Sequence, residues 1–166
     1  MVLSSTCDLC DRHKGESADV FRVLPPVFRE FGGRAAFGGP ISTVRCLDDN
    51  TQVKAAVESP GLGRVLVVDG GGSLRRALVG GNLGSAAARN GWAGLVVHGA
   101  VRDVAELADC ALGVRALAAM PMPTERRGQG ERDVPIQLFG MWLRPGEWLL
   151  ADADGIVVLP AEPVPA

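Results

Sequence analysis

An arginine followed directly by an aspartate, Arg102-Asp103, comes straight after a short apolar run. A guanidinium in that place grips an anionic oxygen in bidentate fashion. The carboxylate beside it either caps a following helix or ligates a hard cation such as Mg2+. Glu106 lies one helical turn beyond Asp103. It can anchor a water of that cation's shell, or simply belong to a capping-box-like helix start. A second candidate lies upstream, where Gly80 and Gly81 precede a helical pattern. The amides of Gly80, Gly81, Asn82 and Leu83 would then stand at the positive end of a helix dipole, a place for a carboxylate. The plainer reading is a glycine turn with Asn82 as the cap. No GK[ST] follows, so this is not a P-loop. Gly70-Gly71-Gly72 lacks the third-glycine spacing and the ribose-binding acid of a dinucleotide fingerprint.

Both candidates need elements to hold them. Residues 64–69 and 94–98 are continuous apolar runs, the pattern of strands buried on both faces. Helical patterns follow over 82–90 and 102–108, and a further strand is expected over 114–119. A strand over 41–46 and a helix over 51–58, capped by Asp49 or Asn50, come before them. A glycine-rich connection over 32–40 leads in. The middle of the chain therefore alternates strand and helix as βαβ crossovers do. Ligands of such sheets bind outside the carboxyl ends of the strands, where both candidate loops begin. Near the start, a helix over 6–13 and a short strand over 20–24 are expected. After a polar loop over 121–132, four short strands are expected over 136–139, 141–143, 148–150 and 155–159. Residues 1–160 read as one domain and the Pro-rich 161–166 as a flexible tail.

Composition narrows the classes. The chain has 166 residues, 47% of them hydrophobic, enough for one domain with its own core. Its net charge of −2 and few aromatics argue against direct nucleic-acid binding. No apolar run reaches membrane-spanning length. The first six residues do not form a secretory leader, so a cytoplasmic location is expected. There the cysteines at 7, 10, 46 and 110 stay reduced. Cys7-Asp8-Leu9-Cys10, with His13 beyond, is half of a structural zinc site at most, and a short helix is the better account.

The two loops also stand in a fixed relation. Twenty residues separate Gly81 from Arg102, and two separate Asp103 from Glu106. That pattern resembles the motif of the 4-hydroxy-4-methyl-2-oxoglutarate aldolases, within the regulator of ribonuclease activity A family. Phe31-Gly32-Gly33-Arg34-Ala35, Val65-Leu66-Val67-Val68-Asp69-Gly70 and Gly130-Glu131-Arg132-Asp133-Val134 are similar to blocks of the same family, as is Ala151-Asp152-Ala153-Asp154-Gly155. The resemblance spans nearly the whole chain. It implies an α/β fold of the compact swivelling type, an α/β/β sandwich with a mostly parallel central sheet and C-terminal antiparallel strands. It implies a homotrimer, with pairing into hexamers left open, and sites near subunit boundaries. It assigns substrate binding to the backbone at Gly80, Gly81, Asn82 and Leu83 and to Arg102, and the divalent metal, Mg2+ or Mn2+, to Asp103.

The implied reaction is aldol cleavage to pyruvate, with oxaloacetate decarboxylation through the same enolate. An enolate needs either a lysine Schiff base or a Lewis acid. The only lysines, Lys14 and Lys54, lie far from the motif in sequence. Many aldolases of the family carry an acid beside the first-loop glycine, where this chain has Gly80-Gly81-Asn82. The proton acceptor is thus unassigned; His98, at a strand end, can assist but reads better as structural, and Glu131 and Asp133 serve only if their polar loop reaches the site. The rival reading is a regulator that binds and inhibits an RNA-degrading endonuclease. Regulators of the family can lack the aspartate after the arginine, and Asp103 favours the enzyme. A methyltransferase, a label the family has carried, finds no cofactor loop here.

Overall fold

The computed structural model describes residues 4–165. Residues 1–3, at the start of the segment read as no leader, and residue 166, the end of the tail, lie outside the described residues. The first helix, α1 (Thr6–His13), begins at a reciprocal cap. The Ser5 hydroxyl accepts from the Asp8 amide at 3.0 Å, and the Asp8 carboxylate accepts from the Ser5 amide. Two short strands follow, β1 (Arg22–Val23) and β2 (Arg29–Glu30).

The next strand, β3 (Phe37–Arg45), starts four residues before the expected position. Residues 37–40 are strand rather than glycine-rich connection, and Gly38 and Gly39 stand in it because neighbouring backbone leaves no room for a Cβ. A Cβ on Gly39 would fall 2.1 Å from the Gly63 carbonyl oxygen. Then come α2 (Thr51–Val57) and β4 (Val65–Asp69). A strand not expected, β5 (Ala77–Val79), lies just before the glycine turn. Three residues are too few to show a period, and two arginines precede them. The chain continues through α3 (Gly81–Arg89), β6 (Gly94–Val101), α4 (Val104–Ala108) and β7 (Gly113–Ala119). Residues 99–101 thus extend β6 rather than forming a loop. Last come β8 (Glu131–Arg132), β9 (Ile136–Leu138), β10 (Met141–Leu143), β11 (Trp148–Asp152) and β12 (Gly155–Leu159).

Strands β3, β4, β6 and β7 run parallel side by side, and β5 lies parallel along the end of β6. β11, β12 and β1 continue the sheet in antiparallel fashion beyond β3, and β2 covers the far edge on β7. β3 serves both parts. Its first half, from Phe37 to Pro40, pairs with β11, and its second half, from Ile41, pairs with β4. Helices α2, α3 and α4 cover one face through Val53, Ala87 and Leu107, all fully buried. The other face packs Val67 and Val96 against Leu138, Leu143 and Leu149. Those last three belong to the β9–β10 hairpin and β11, so the layers run helix, sheet, sheet. A third cluster seats Leu9 of α1 on Leu150, Val157 and Leu159.

The fold class expected from the sequence is the one observed: α/β, with a parallel centre and an antiparallel C-terminal part. No helix among the described residues is long and apolar enough to cross a membrane. What matters for chemistry is one end of the sheet. The parallel strands β3, β5 and β6 release the chain there at the segments leading to Asn50, Gly80 and Arg102.

Candidate active site

Those three exits border a cleft of about 310 Å³. Gly80, Asn82, Leu83, Arg102 and Asp103 line it, so the two candidate loops meet at one cleft, as the family resemblance implies. Gly80 and Gly81 are small for a steric reason. A Cβ on Gly80 would sit 2.7 Å from Asp103 Oδ2, and one on Gly81 only 1.8 Å from Glu106 Oε2. The α3 start is therefore pressed against the residues that follow β6.

Asp103 adopts left-handed backbone angles, φ 54° and ψ 48°. Aspartate visits this region more readily than most residues, though still at a cost of about 1 kcal/mol. In this conformation its side chain does not cap its own helix, α4. It crosses the cleft mouth and accepts the Gly81 amide hydrogen at 2.9 Å. The capping reading was thus half right: Asp103 caps a helix, but the neighbouring one. Oδ1 is left free. The side chain is 40% exposed, and Arg102 Nε lies 4.0 Å away. The helix begins at Arg102 and Asp103 in the sequence reading; α4 starts at Val104, because Asp103 has turned left-handed.

At the start of α3 the amide of Gly84 closes the first helical bond, to the Gly80 carbonyl at 2.9 Å. The Gly81 amide is engaged by Asp103, so of the predicted donors those of Gly80, Asn82 and Leu83 have no partner among the described residues. Asn82 is an exposed residue inside the helix rather than its cap; Gly80 occupies the cap position.

Glu106 packs over Gly81 and does not line the cleft. The other candidates are engaged elsewhere. His98 Nδ1 is 3.9 Å from Asp69, and its ring meets Phe139 edge-on at 4.8 Å. Glu131 pairs with Arg45, and Asp133 accepts from the Ser42 hydroxyl at 2.8 Å. The Lys54 ammonium is paired with Glu58 on the surface. Cys7 and Cys10 are free thiols on α1, and no group of three metal-ligating side chains occurs among the described residues.

Three polar cleft residues escaped the sequence reading, Asn50, Thr124 and Arg126, as did the apolar Ala77 and Pro123. Asn50 holds the N-cap position of α2 but makes no side-chain cap bond; Asp49 before it accepts the Thr51 amide at 2.9 Å and the Thr51 hydroxyl at 2.6 Å. Its other oxygen accepts the amides of Arg127 and Gln129, at 2.8 and 3.2 Å. Burial pushes the Asp49 carboxyl up, but these four donors outweigh it and bring the pKa down to about 2. Asn50, 7% exposed, donates to the Leu78 carbonyl at 2.9 Å. Its Oδ1 accepts the Thr124 hydroxyl at 2.7 Å and Arg126 Nε at 3.0 Å. The one sequence signal for this group was the arginine content of the 121–132 loop.

With this geometry established, comparison with known proteins places the chain. Residues 6–158 match the family model described as RraA-like: Aldolase/RraA. The chain belongs to the RraA-like family. A relative from Albidiferax ferrireducens, provisionally named 4-hydroxy-4-methyl-2-oxoglutarate aldolase, is 63% identical over 162 residues, covering 93% of this chain and 94% of the relative. One from Burkholderia multivorans with the same provisional name is 57% identical, with the same coverage. Among solved structures, the RNA-processing inhibitor RraA of Thermus thermophilis superposes with a TM-score of 0.92 at 48% identity, covering 98% of this chain and 96% of its own. A Geobacillus kaustophilus structure described as an S-adenosylmethionine:2-dimethylmenaquinone methyltransferase gives 0.88 at 41%, covering 95% and 96%. This RraA-like chain has the fold of the inhibitor, and relatives 63% and 57% identical to it carry the aldolase name.

Proposed function

We propose that the chain cleaves 4-hydroxy-4-methyl-2-oxoglutarate between C3 and C4, giving pyruvate and the enolate of a second pyruvate, with a divalent metal at Asp103. The observation that carries this is the opposition of Arg102 and Asp103 to the free amides of Asn82 and Leu83 across one cleft. The relatives named as aldolases support it.

The residues fit a hard cation. Asp103 offers one carboxylate oxygen free of the chain, and among the described residues that line this cleft there is no thiol, thioether or imidazole. Mg2+ and Mn2+ accept such a site, with water and substrate oxygens filling the shell. When bound, the ion supplies Lewis-acid polarisation of the 2-oxo group. The chain does the rest. The Asn82 and Leu83 amides, at the positive end of α3, fix the carboxylate next to that group. Arg102 hydrogen-bonds the oxygen on which charge collects as the C3–C4 bond opens, a contact stronger in the transition state than in the ground state. Among the described residues, no carboxylate or imidazole other than Asp103 lines the cleft. Proton removal from the 4-hydroxyl therefore falls to cleft water in this chain. Oxaloacetate, whose decarboxylation gives the same enolate, is a second substrate.

A homotrimer follows from the family resemblance, and light scattering should return three times the 17.3 kDa chain mass, or six times if trimers pair. Four free thiols fit a reducing, cytoplasmic compartment. A second reading, an inhibitor of an RNA-degrading endonuclease, is favoured by the close superposition on the Thermus inhibitor. The deciding experiment measures pyruvate release from 4-hydroxy-4-methyl-2-oxoglutarate and from oxaloacetate, with Mg2+ and with chelator. Chelator-sensitive turnover is expected. A folded oligomer inert toward both substrates with either metal would leave the inhibitor reading standing and end the aldolase one.

A further inference from the structure

We propose that Val104, Ala119, Met120 and Pro121 form an apolar subsite beside Asp103 for an alkyl arm of the substrate, and that it admits arms longer than methyl. The chain then also acts on 2-oxo acids that carry ethyl or propyl where 4-hydroxy-4-methyl-2-oxoglutarate carries its methyl group. This rests on the reading above for the anchored 2-oxo end and extends it past Asp103.

Arg102 and Asp103 border a second recess as well as the cleft, an open one of about 440 Å³. Val104, Ala119, Met120 and Pro121 complete its lining, and all four are apolar. Strand register brings them there. Val101 at the end of β6 stands opposite Ala119 at the end of β7, and the Met120 amide donates to the Val101 carbonyl at 2.9 Å. The chain therefore leaves both strands side by side, with Arg102 on one path and Met120-Pro121 on the other. The left-handed turn at Asp103 then starts α4 at Val104.

These side chains are apolar without serving the core. Val104 is 44% exposed, Ala119 and Pro121 are exposed, and Met120 is half-buried. None of the four belongs to the hydrophobic clusters formed by the described residues. Apolar groups gathered at a rim beside a charged pair mark a contact surface. The cleft itself offers Asn50, Thr124 and Arg126 on its far wall. An alkyl arm against those groups strips their water and returns no hydrogen bond. In the recess the same arm releases water from two apolar surfaces. Asp103 lines both spaces, so a 2-oxo acid held there sends its polar arm one way and its alkyl arm the other. The recess has far more room than a methyl group fills, and the unbranched Met120 side chain adapts to arms of different length.

The test titrates 2-oxobutanoate, 2-oxopentanoate and 2-oxohexanoate calorimetrically with Mg2+ present. Wild type should bind about two- to fourfold more tightly with each added methylene, the range for a CH2 group partly or fully buried. Val104→Thr keeps the shape and adds a hydroxyl, and Met120→Gln does the same for the longer side chain. Each should flatten the series to less than about 1.5-fold per methylene. A flat wild-type series overturns the proposal. So do variants that weaken all three ligands by one factor, which is what merely structural residues would do. Light scattering is read on each variant, and a changed oligomer would give the recess to a contact between copies and likewise overturn it. Turnover of 4-hydroxy-4-methyl-2-oxoglutarate and its 4-ethyl homologue is measured separately, and the homologue should be cleaved at least as efficiently. A wild type inert toward both, whose chain-length series still flattens in the variants, would sink the aldolase reading and keep the subsite. An active wild type with a flat series would do the reverse.

Discussion

Asp103 has one carboxylate and two tasks, holding the start of α3 and serving the cleft. The two separate by substitution. Asp103→Ala removes both. It should lose pyruvate release by at least a hundredfold and, by orphaning the Gly81 amide, about 1 kcal/mol of stability. Asp103→Asn keeps an acceptor for that amide and tolerates the left-handed backbone, so its melting temperature should stay near wild type while metal-dependent activity is lost. Equal melting losses in both variants would show that the Gly81 bond contributes nothing. Gly81 makes a complementary case. Its Cβ would overlap Glu106 Oε2, the far end of an exposed side chain that can swing aside, so Gly81→Ala should cost at most about 1 kcal/mol. Adding Glu106→Ala should recover part of that loss; a simply additive double variant in thermal melts would place the strain elsewhere.

At the scale of elements, the head of α2 governs the cleft's far wall. The Asp49 carboxyl titrates at about 2 in the folded chain, below its ordinary 3.8. A group with a depressed folded pKa stabilises the fold above its unfolded value and loses that contribution as pH falls toward the folded one. Wild type should therefore lose melting temperature between about pH 4 and pH 2 more steeply than Asp49→Asn. Parallel slopes would show that Asp49 does not hold the loop. These elements also mark how far the sequence could be read. Two apolar runs, each with a loop leaving its carboxyl end, brought Gly80, Gly81, Arg102 and Asp103 together on paper, because buried parallel strands carry a clear pattern. Asn50, Thr124 and Arg126 stayed invisible. They sit in connections without a period, and they meet only because Asp49 and Asn50 bond to a loop more than seventy residues away. β5 was hidden by its brevity. The early start of β3 was hidden by glycines, which mark turns in most sequences but here mark backbones packed close.

For the whole molecule, the two chain ends are part of one structure. Thr6 bonds to Asp152 through both its amide and its hydroxyl, at 2.8 and 2.6 Å, and β1 pairs with β12. Arg12 donates to the Val164 carbonyl at 3.1 Å, so the tail, expected to be flexible, touches α1 there. Leu9, fully buried, anchors this closure. Leu9→Ala should destabilise by about 2–4 kcal/mol in denaturant unfolding, and a smaller effect than a surface substitution gives would mean that α1 is merely draped on the sheet. The path of β3 carries a further consequence, for synthesis. Its first half has no hydrogen-bonding neighbour until β11 exists, with Phe37 opposite Ala151 and Pro40 opposite Trp148. At roughly 5–20 residues per second, a ribosome needs about 5–20 seconds to bridge that interval. During it the nascent chain holds a partly assembled parallel sheet with one open edge, the stage at which a holding chaperone would have most to protect.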